Sequence, residues 1–239
     1  MNPKIKVIEL RNYLLKPDMR EMFIDYFEDH FIDSQNVLGG YVLGRFRIKG
    51  EDDNFFWIRG FAGMQLRLAF LRGFYEEGEV WKEFGSGANE MMLDSDNVYL
   101  LKPLNKDSSN SDQLTKEKGI VGVDFYFANA NQLDNLAGFF QADYAPFLKN
   151  KPTLWISEMA ANDFPRLPVI QDRNLLVAIT TFEDESDYQS QSRQAMDLKN
   201  RMRQLIAQER NLILYPTAKS LLGNDGNGSI EQRFGKATK

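Results

Sequence analysis

The segment FFWIRGF (55–61) combines a charged residue with aromatic residues at the spacing of a β-strand. Alternate residues of a strand share a face, so Trp57 and Arg59 lie together. Phe56 and Ile58 lie on the opposite face. A guanidinium offers a planar fork of donors that suits a carboxylate or a phosphate, and an indole offers a flat wall. The pattern predicts either a ligand pocket at Trp57 and Arg59 or an arginine held in a structural ion pair.

Other candidates for ligand contact occur along the first half of the chain. Arg47 could bind an anion, with Arg45 as the alternative, depending on which way their strand faces. Trp81 and Tyr75 could supply flat walls, although aromatic side chains more often belong to the core. Asn89 follows two glycines in GSGANEMM. That pattern could free a backbone nest for an anion, but we interpret it as a helix end.

His30 is the only histidine, so acid–base catalysis by histidine must use this residue. It lies on the apolar stripe of a predicted helix, next to Phe31. Asp29 and Asp33 are close in sequence and could orient the imidazole as a catalytic base. The same position suits a structural histidine at the edge of the core, which is the interpretation we favour.

The composition excludes several kinds of site. The chain has 239 residues and no cysteine, which rules out disulfides, thiolate metal sites and a cysteine nucleophile. The segment DSDN (94–97) resembles the start of a calcium loop, but Tyr99 and Asn105 replace its glycine and glutamate. We therefore expect a tight turn there and no metal site. The sequence contains neither a P-loop nor a GxSxG elbow, and we predict no cofactor.

Charge and hydropathy indicate where the protein acts. The net charge is −5 and the 29 Lys and Arg residues are scattered, which argues against binding to nucleic acid. The first residues lack the apolar core of a signal peptide, and no run approaches the roughly 18 apolar residues of a membrane span. We expect a cytoplasmic protein without a membrane span.

Hydrophobic periodicity predicts the same order of elements twice. Both halves read β-α-β-β-α-β, the order of a ferredoxin-like unit. The predicted strands are 5–15, 40–48, 54–61 and 97–104 in the first half, and 119–127, 153–159, 174–182 and 211–217 in the second. We assign 1–104 to a first repeat, 105–118 to a polar linker, 119–222 to a second repeat and 223–239 to a flexible tail.

The two halves align at a constant offset, which indicates an internal duplication. Tyr13 maps onto Tyr126, and Pro103 maps onto Pro216, each 113 residues further on. Agreement in both the first and the last strand of each repeat favours a common origin over chance.

Two ferredoxin-like sheets could close face to face into one pseudo-dimeric α+β barrel. We expect Leu10, Phe56 and Ile58 to face the helices. The opposite face would line a chamber inside the barrel, and its residues are Glu9, Arg11, Tyr13, Trp57 and Arg59. Charges persist in such a chamber when they are paired or bound to a ligand. The alternative is a ladder of ion pairs that faces water.

The first half resembles the NIPSNAP family, which belongs to the dimeric α+β-barrel group. The resemblance rests on ELRNY (9–13), EDHFIDSQ (28–35), FRI (46–48), FWIRGF (56–61), FYEEGEVW (74–81), ANEMM (88–92) and DSDNVYLLKP (94–103). In the second half it is concentrated at NDFPRLPV (162–169), where two prolines indicate an edge or a loop. The resemblance implies a barrel built from two repeats, here within one chain, and it says little about chemistry.

Three hypotheses on function follow. The first is a protein that binds a small organic, anionic or aromatic ligand in the chamber; its enzymatic form would be a cofactor-independent monooxygenase or isomerase that uses His30 as acid–base. The second is a noncatalytic protein-interaction module in which the sheets pack together without a chamber. The third is a haem binder, which would ligate iron through His30 or a tyrosine. Barrel edges and exposed aromatic residues favour a homo-oligomer.

Overall fold

The computed structural model describes residues 4–105, 108, 119–171 and 174–223. The predicted linker, apart from Asn105 and Ser108, lies outside the described residues, as does the predicted tail apart from Gly223.

The first half of the chain forms a β-α-β-β-α-β unit with one short extra strand. Its elements are β1 (Val7–Leu15), α1 (Arg20–His30), α2 (Ile32–Val37), β2 (Tyr41–Ile48), β3 (Glu51–Phe61), α3 (Met64–Arg72), α4 (Glu79–Met91), β4 (Met92–Asp94) and β5 (Val98–Pro103). A π-helical turn, Gly73–Glu77, connects α3 with α4.

The second half repeats this order. Its elements are β6 (Ile120–Ala128), α5 (Leu133–Phe139), α6 (Ala145–Phe147), β7 (Thr153–Ser157), β8 (Leu175–Phe182), α7 (Glu185–Gln194), α8 (Met196–Met202) and β9 (Ile206–Pro216). A second π-helical turn, Phe140–Tyr144, separates α5 from α6.

Eight strands close into a barrel within this single chain. They follow the order β1-β3-β2-β9-β6-β8-β7-β5, and β5 pairs with β1 again, while β4 is added beside β1. The repeats meet at two equivalent seams: β2 pairs with β9, and β7 pairs with β5. Pro216 opposes Phe46 at one seam and Pro103 opposes Trp155 at the other. The predicted α+β barrel of two ferredoxin-like repeats is therefore confirmed.

The strand register shows the duplication residue by residue. Leu10 opposes Tyr99 between β1 and β5, and Val123 opposes Leu212 between β6 and β9. Both members of the second pair lie 113 residues after their counterparts in the first. The sequence offset between the repeats is therefore also found in the structure, because the first strand pairs with the last strand in the same register in both repeats.

The apolar side chains form three cores. The barrel interior is filled by strand side chains from both repeats, including Leu10, Phe56 and Ile58 from the first and Val123 and Ile179 from the second. An eight-stranded barrel is just wide enough for its inward side chains to fill it. The other two cores lie between the helices and the outer face of the sheet, one in each repeat.

The predicted orientation of the first strands is wrong. Leu10, Phe56 and Ile58 point into the barrel, whereas Tyr13 and Trp57 pack against the helices of the first repeat. The physical reason is that inward side chains of a small closed barrel meet only one another. The helix layer can supply polar partners to charged residues on the outer face. The chamber expected inside the barrel is therefore occupied by apolar side chains.

No helix in the described part of the chain is long and apolar enough to cross a membrane.

Candidate functional site

The pairing of β1 with β3 brings the charged and aromatic residues of both strands together. Glu9 opposes Arg59, and Arg11 opposes Trp57. All four side chains are buried beneath the helices of the first repeat. The residues that strand alternation places on one face therefore do form a cluster, which lies on the outer face of the barrel.

Glu9 is the centre of this cluster because its carboxylate accepts hydrogen bonds from three arginines. Oε2 accepts from Arg59 Nε at 3.0 Å and Nη2 at 2.6 Å, and from Arg11 Nη1 at 3.0 Å. Oε1 accepts from Arg67 Nε, on α3, at 2.7 Å. A single buried carboxylate thus serves three guanidinium groups, and charge-assisted bonds of this kind are stronger than neutral ones.

Arg59 also connects the sheet to the helix layer. Its Nη1 donates to Gln35 Oε1 at 2.7 Å and to the Tyr75 hydroxyl at 3.2 Å. Its guanidinium lies 4.8 Å from the ring centre of Phe70 and 5.0 Å from that of Trp57. Such cation–π contacts strengthen when water is excluded.

Arg11 pairs with the phenol two residues further along β1. Its Nε donates to the Tyr13 hydroxyl at 2.8 Å, and its guanidinium lies 5.5 Å from the ring centre of Trp57. Tyr13, predicted as a ligand-binding residue, thus holds Arg11 in place.

The electrostatics keep the cluster charged. Burial alone would raise the pKa of Glu9, but the charges of Arg59, Arg11 and Arg67 outweigh it and hold the pKa of this carboxyl well below its usual range. Burial works against the charge on Arg59, yet Glu9 keeps the pKa of Arg59 above its usual value. Burial raises the pKa of Tyr13, so its phenol stays neutral. These groups provide fixed charges rather than a proton that can be exchanged near neutral pH.

Arg67 links the cluster to a loop of the second repeat. This loop, residues 158–171, follows β7 and is called the strap below. Arg67 Nη1 donates to Asp163 Oδ1 at 2.9 Å and to Asn162 Oδ1 at 3.3 Å. Phe164 of the strap is buried in the helix–sheet core of the first repeat. The second repeat therefore covers the charged cluster of the first.

A small cavity lies between this face of the sheet and the helices. Its volume is about 30 Å³. It is lined by Tyr13, Phe23, Phe27, Phe31, Gln35, Trp57, Phe74, Tyr75, Trp81, Ala88 and Met92. About 10–15 Å³ is needed for one water molecule, so this volume accommodates about two. Tyr75, Trp81 and Met92 are only half-buried, which places the rim of the cavity at these side chains.

Trp57 lines this cavity and carries a buried hydrogen-bond donor. The indole Nε1 of Trp57 is buried and makes no hydrogen bond within the described residues. Because an unsatisfied buried donor costs free energy, such groups are rare and call for an explanation. An acceptor atom of a bound molecule would satisfy this donor.

Two of the predicted anion-binding arginines form ion pairs with α1. Arg47 binds Glu21 through both Nε and Nη2, and Glu21 is largely exposed. Arg45 is buried and donates to Glu28 at 3.2 Å. Both arginines lie on the helix side of β2, so the direction in which the strand faces does not decide between them as anion-binding residues. Neither arginine lines the cavity.

His30 and Asn89 lie apart from the cluster. The His30 ring stacks on Phe84 with 3.8 Å between ring centres. It also makes an edge-type contact with Tyr26, with 4.6 Å between ring centres. Its predicted catalytic role stays a prediction. Asn89 is exposed on α4 and does not line the cavity. Gly85 and Gly87 lie inside α4, which ends at Met91, so the helix does end within GSGANEMM, as predicted, but after the two glycines and not at them.

Arg67, Gln35 and the strap belong to the cluster but were not predicted from the sequence. Arg67 precedes the buried residues Phe70 and Leu71 by three and four positions, which places all three on one helix face. That spacing could have identified Arg67 as an inward-facing cation. The position of Asp163 opposite Arg67 depends on the packing of one repeat on the other, which no local pattern reveals.

No group of three or more potential metal-binding side chains occurs in the part of the chain that the structure describes.

The comparisons with known proteins concern the fold. No family model matches the sequence, and no curated protein matches it. A "putative monooxygenase" from Lactobacillus acidophilus has a similar structure with a TM-score of 0.59 and 10% identity, covering 92% of this chain and 97% of that protein. A "putative monooxygenase" from Fusobacterium nucleatum matches with a TM-score of 0.61 and 11% identity, covering 89% and 92%.

A NIPSNAP family protein from Agrobacterium tumefaciens is also similar over part of the chain. The match has a TM-score of 0.38 and 20% identity, and covers 43% of this chain and 90% of that protein. The two near full-length matches establish that this chain has the α+β barrel fold that those two proteins share.

Proposed function

We propose that the first repeat binds a small organic anion with a planar ring in the cavity beneath its helices. The observation that carries this proposal is Trp57, whose buried indole N–H has no acceptor among the described residues and whose side chain lines a cavity walled by aromatic rings. A carboxylate or enolate oxygen would accept from this donor, and the rings would stack on the ligand.

The charge of the neighbouring cluster favours an anion. Three fully buried arginines face one buried carboxylate, Glu9, and one partly exposed carboxylate, Asp163. The cluster therefore carries one positive charge more than its carboxylates balance. Excess buried charge is costly, and an anionic ligand would reduce that cost.

The fixed ionisation of these groups favours binding over proton transfer. A general base is most effective when its pKa lies near the working pH. The pKa of Glu9 is held far below that range, and burial raises the pKa of Tyr13. The enzymatic hypothesis stays a prediction, and His30 would have to act from outside the cavity.

A ring-sized ligand requires the rim to move. An apolar cavity that binds benzene measures about 150 Å³, several times the volume found here. Tyr75 belongs to the π-helical turn Gly73–Glu77, and such turns are frequent at functional sites. We infer that Tyr75 and Trp81 turn outward to admit the ligand.

The test is a thermal-shift and native mass spectrometry series with benzoate, phenylacetate and 4-hydroxybenzoate, using benzyl alcohol as the uncharged comparison. Wild type should be stabilised by at least one of the acids and not by the alcohol. Ala88→Leu fills the cavity from α4 and should abolish the shift. Ser86→Leu adds the same side chain at an exposed position of that helix and should preserve it.

Trp57→Phe keeps a ring and removes the N–H, and should weaken acid binding roughly tenfold, the cost of one charge-assisted hydrogen bond. If no acid stabilises wild type, or if Ala88→Leu responds like wild type, the cavity is not a binding site. The interaction-module hypothesis would then be favoured.

A further inference from the structure

We propose that Arg67 is the anchor of a second, carboxylate-binding site, which Asp163 of the strap occupies in this structure. A carboxylate of a small molecule would bind Arg67 in place of Asp163. Neither residue lines the aromatic cavity, so this site is separate from the one proposed above.

The first observation is that the three nitrogen atoms of the Arg67 guanidinium differ in their hydrogen bonding. Its Nε is bound to Glu9 and its Nη1 to the strap, whereas Nη2 has no hydrogen-bond partner within the described residues. The whole side chain is 0% exposed. A guanidinium binds a carboxylate best through two parallel bonds, and Asp163 uses only one oxygen on Nη1. A ligand carboxylate placed across Nη1 and Nη2 would satisfy both.

The second observation is that Asp163 is the most exposed of the charged side chains in the network. Its side chain is 29% exposed, whereas Glu9 and Arg67 are at 0%. A solvent-accessible carboxylate keeps part of its hydration, so it can be exchanged for another carboxylate more cheaply than Glu9 can.

The third observation is that the strap is attached to the barrel at its two ends and not at Asp163. Glu158 N donates to Leu100 O at 2.8 Å, and Ile170 N donates to Val98 O at 2.7 Å, so both ends are pinned to β5. Asn162 is held within the strap by its N–H to Gln171 Oε1 at 3.0 Å. Asp163 can therefore leave Arg67 while both ends stay bound to β5, and the buried Phe164 beside it limits the movement to a local one.

Because the site is buried, its ligand should be a small molecule and not another protein. Arg67 is 0% exposed and is bound by the strap, so a carboxylate on another protein's surface would have to displace far more than Asp163. The carboxylate of Asp163 already shows which chemical group the position accepts.

The experiment is chemical rescue with formate. Asp163→Ala removes the resident carboxylate, and sodium formate should raise the melting temperature of this variant more than sodium chloride does at equal ionic strength. Its apparent affinity for formate, taken from melting temperature against concentration, should be at least tenfold higher than that of wild type. The matched control is Glu76→Ala, which removes an exposed carboxylate that pairs with Arg166 of the strap. This variant should respond to formate like wild type.

Two further measurements keep the proposal open to refutation. If Asp163→Ala does not fold, Asp163→Asn retains the acceptor for Arg67 and loses only the charge; it should bind formate more tightly than wild type. In wild type, high formate should increase amide hydrogen exchange at 162–169, and chloride should not. Equal effects of formate and chloride on every variant would overturn the proposal, whatever the outcome for the aromatic cavity.

Discussion

Glu9 and Arg59 oppose each other directly across β1 and β3, and both Nε and Nη2 of Arg59 donate to the same carboxylate oxygen. Neither side chain is exposed. Because Glu9 is also bound to Arg11 and Arg67, its removal would leave three buried guanidinium groups without their common counter-ion.

We therefore expect Glu9→Gln to lower the free energy of unfolding by about 3–5 kcal/mol, the cost of breaking a buried ion pair on one side. Urea unfolding monitored by circular dichroism measures this. Glu21→Gln removes the exposed partner of Arg47 and should cost about 0–1 kcal/mol. Equal effects of the two substitutions would show that burial does not govern the strength of these pairs.

The same carboxyl should make stability depend on pH in acid. The pKa of Glu9 is lower in the folded protein than the ordinary value of 4.5. Its contribution is therefore complete above pH 4.5 and is lost as the pH falls from there through the folded pKa. The difference in unfolding free energy between wild type and Glu9→Gln should stay constant from pH 7 to about 5 and shrink below it. A difference that is unchanged at pH 3 would contradict the prediction.

Alternation along the strands correctly predicted which residues share a face. Glu9, Arg11 and Arg59 do form one cluster, and Trp57 lies beside it. Alternation states only that neighbours point in opposite directions, and both faces of these strands are buried. Which face meets the helices is decided by how the two repeats close. The sequence of one repeat contains no direct signal for that choice.

The barrel could be predicted because the first and last strands of the two repeats share one sequence offset. The same offset is found in the strand register of the structure. The charged cluster was only partly predictable, because Arg67 and Asp163 join it through helix and strap packing between distant segments. For His30, the sequence predicted the position on the helix but not the side-chain contacts. Its placement on an apolar helix stripe was visible, but its stacking on Phe84 depends on how α1 meets α4.

The filled barrel interior predicts a large cost for truncation there. Ile58 is 2% exposed and belongs to the interior core. Ile58→Ala should lower the free energy of unfolding by about 2–5 kcal/mol, because the surrounding side chains cannot collapse fully into the space. Val37→Ala, at a position 83% exposed, should change it by no more than about 0.5 kcal/mol. A small effect of Ile58→Ala would indicate a chamber inside the barrel after all. Urea titration of the three proteins distinguishes these outcomes.

Asp124, the counterpart of Arg11 in the second repeat, should have the opposite pH dependence to Glu9. Burial raises its pKa above 3.8, although hydrogen bonds from Asn211 and Tyr188 work against that rise. The folded protein then binds this proton more tightly than the unfolded chain, so wild type loses stability as the pH rises through the raised pKa. An amide keeps the acceptor oxygen without the charge.

Asp124→Asn should therefore match wild type near pH 3 and be more stable than wild type at pH 7, as measured by urea unfolding at both pH values. Glu9→Gln gives the opposite trend, with its deficit largest at pH 7. The two variants share one assay, so an error common to all unfolding measurements at low pH cannot produce both trends. If Asp124→Asn is less stable than wild type at pH 7, the ionised carboxylate is stabilised by Asn211 and its neighbours more than burial disfavours it.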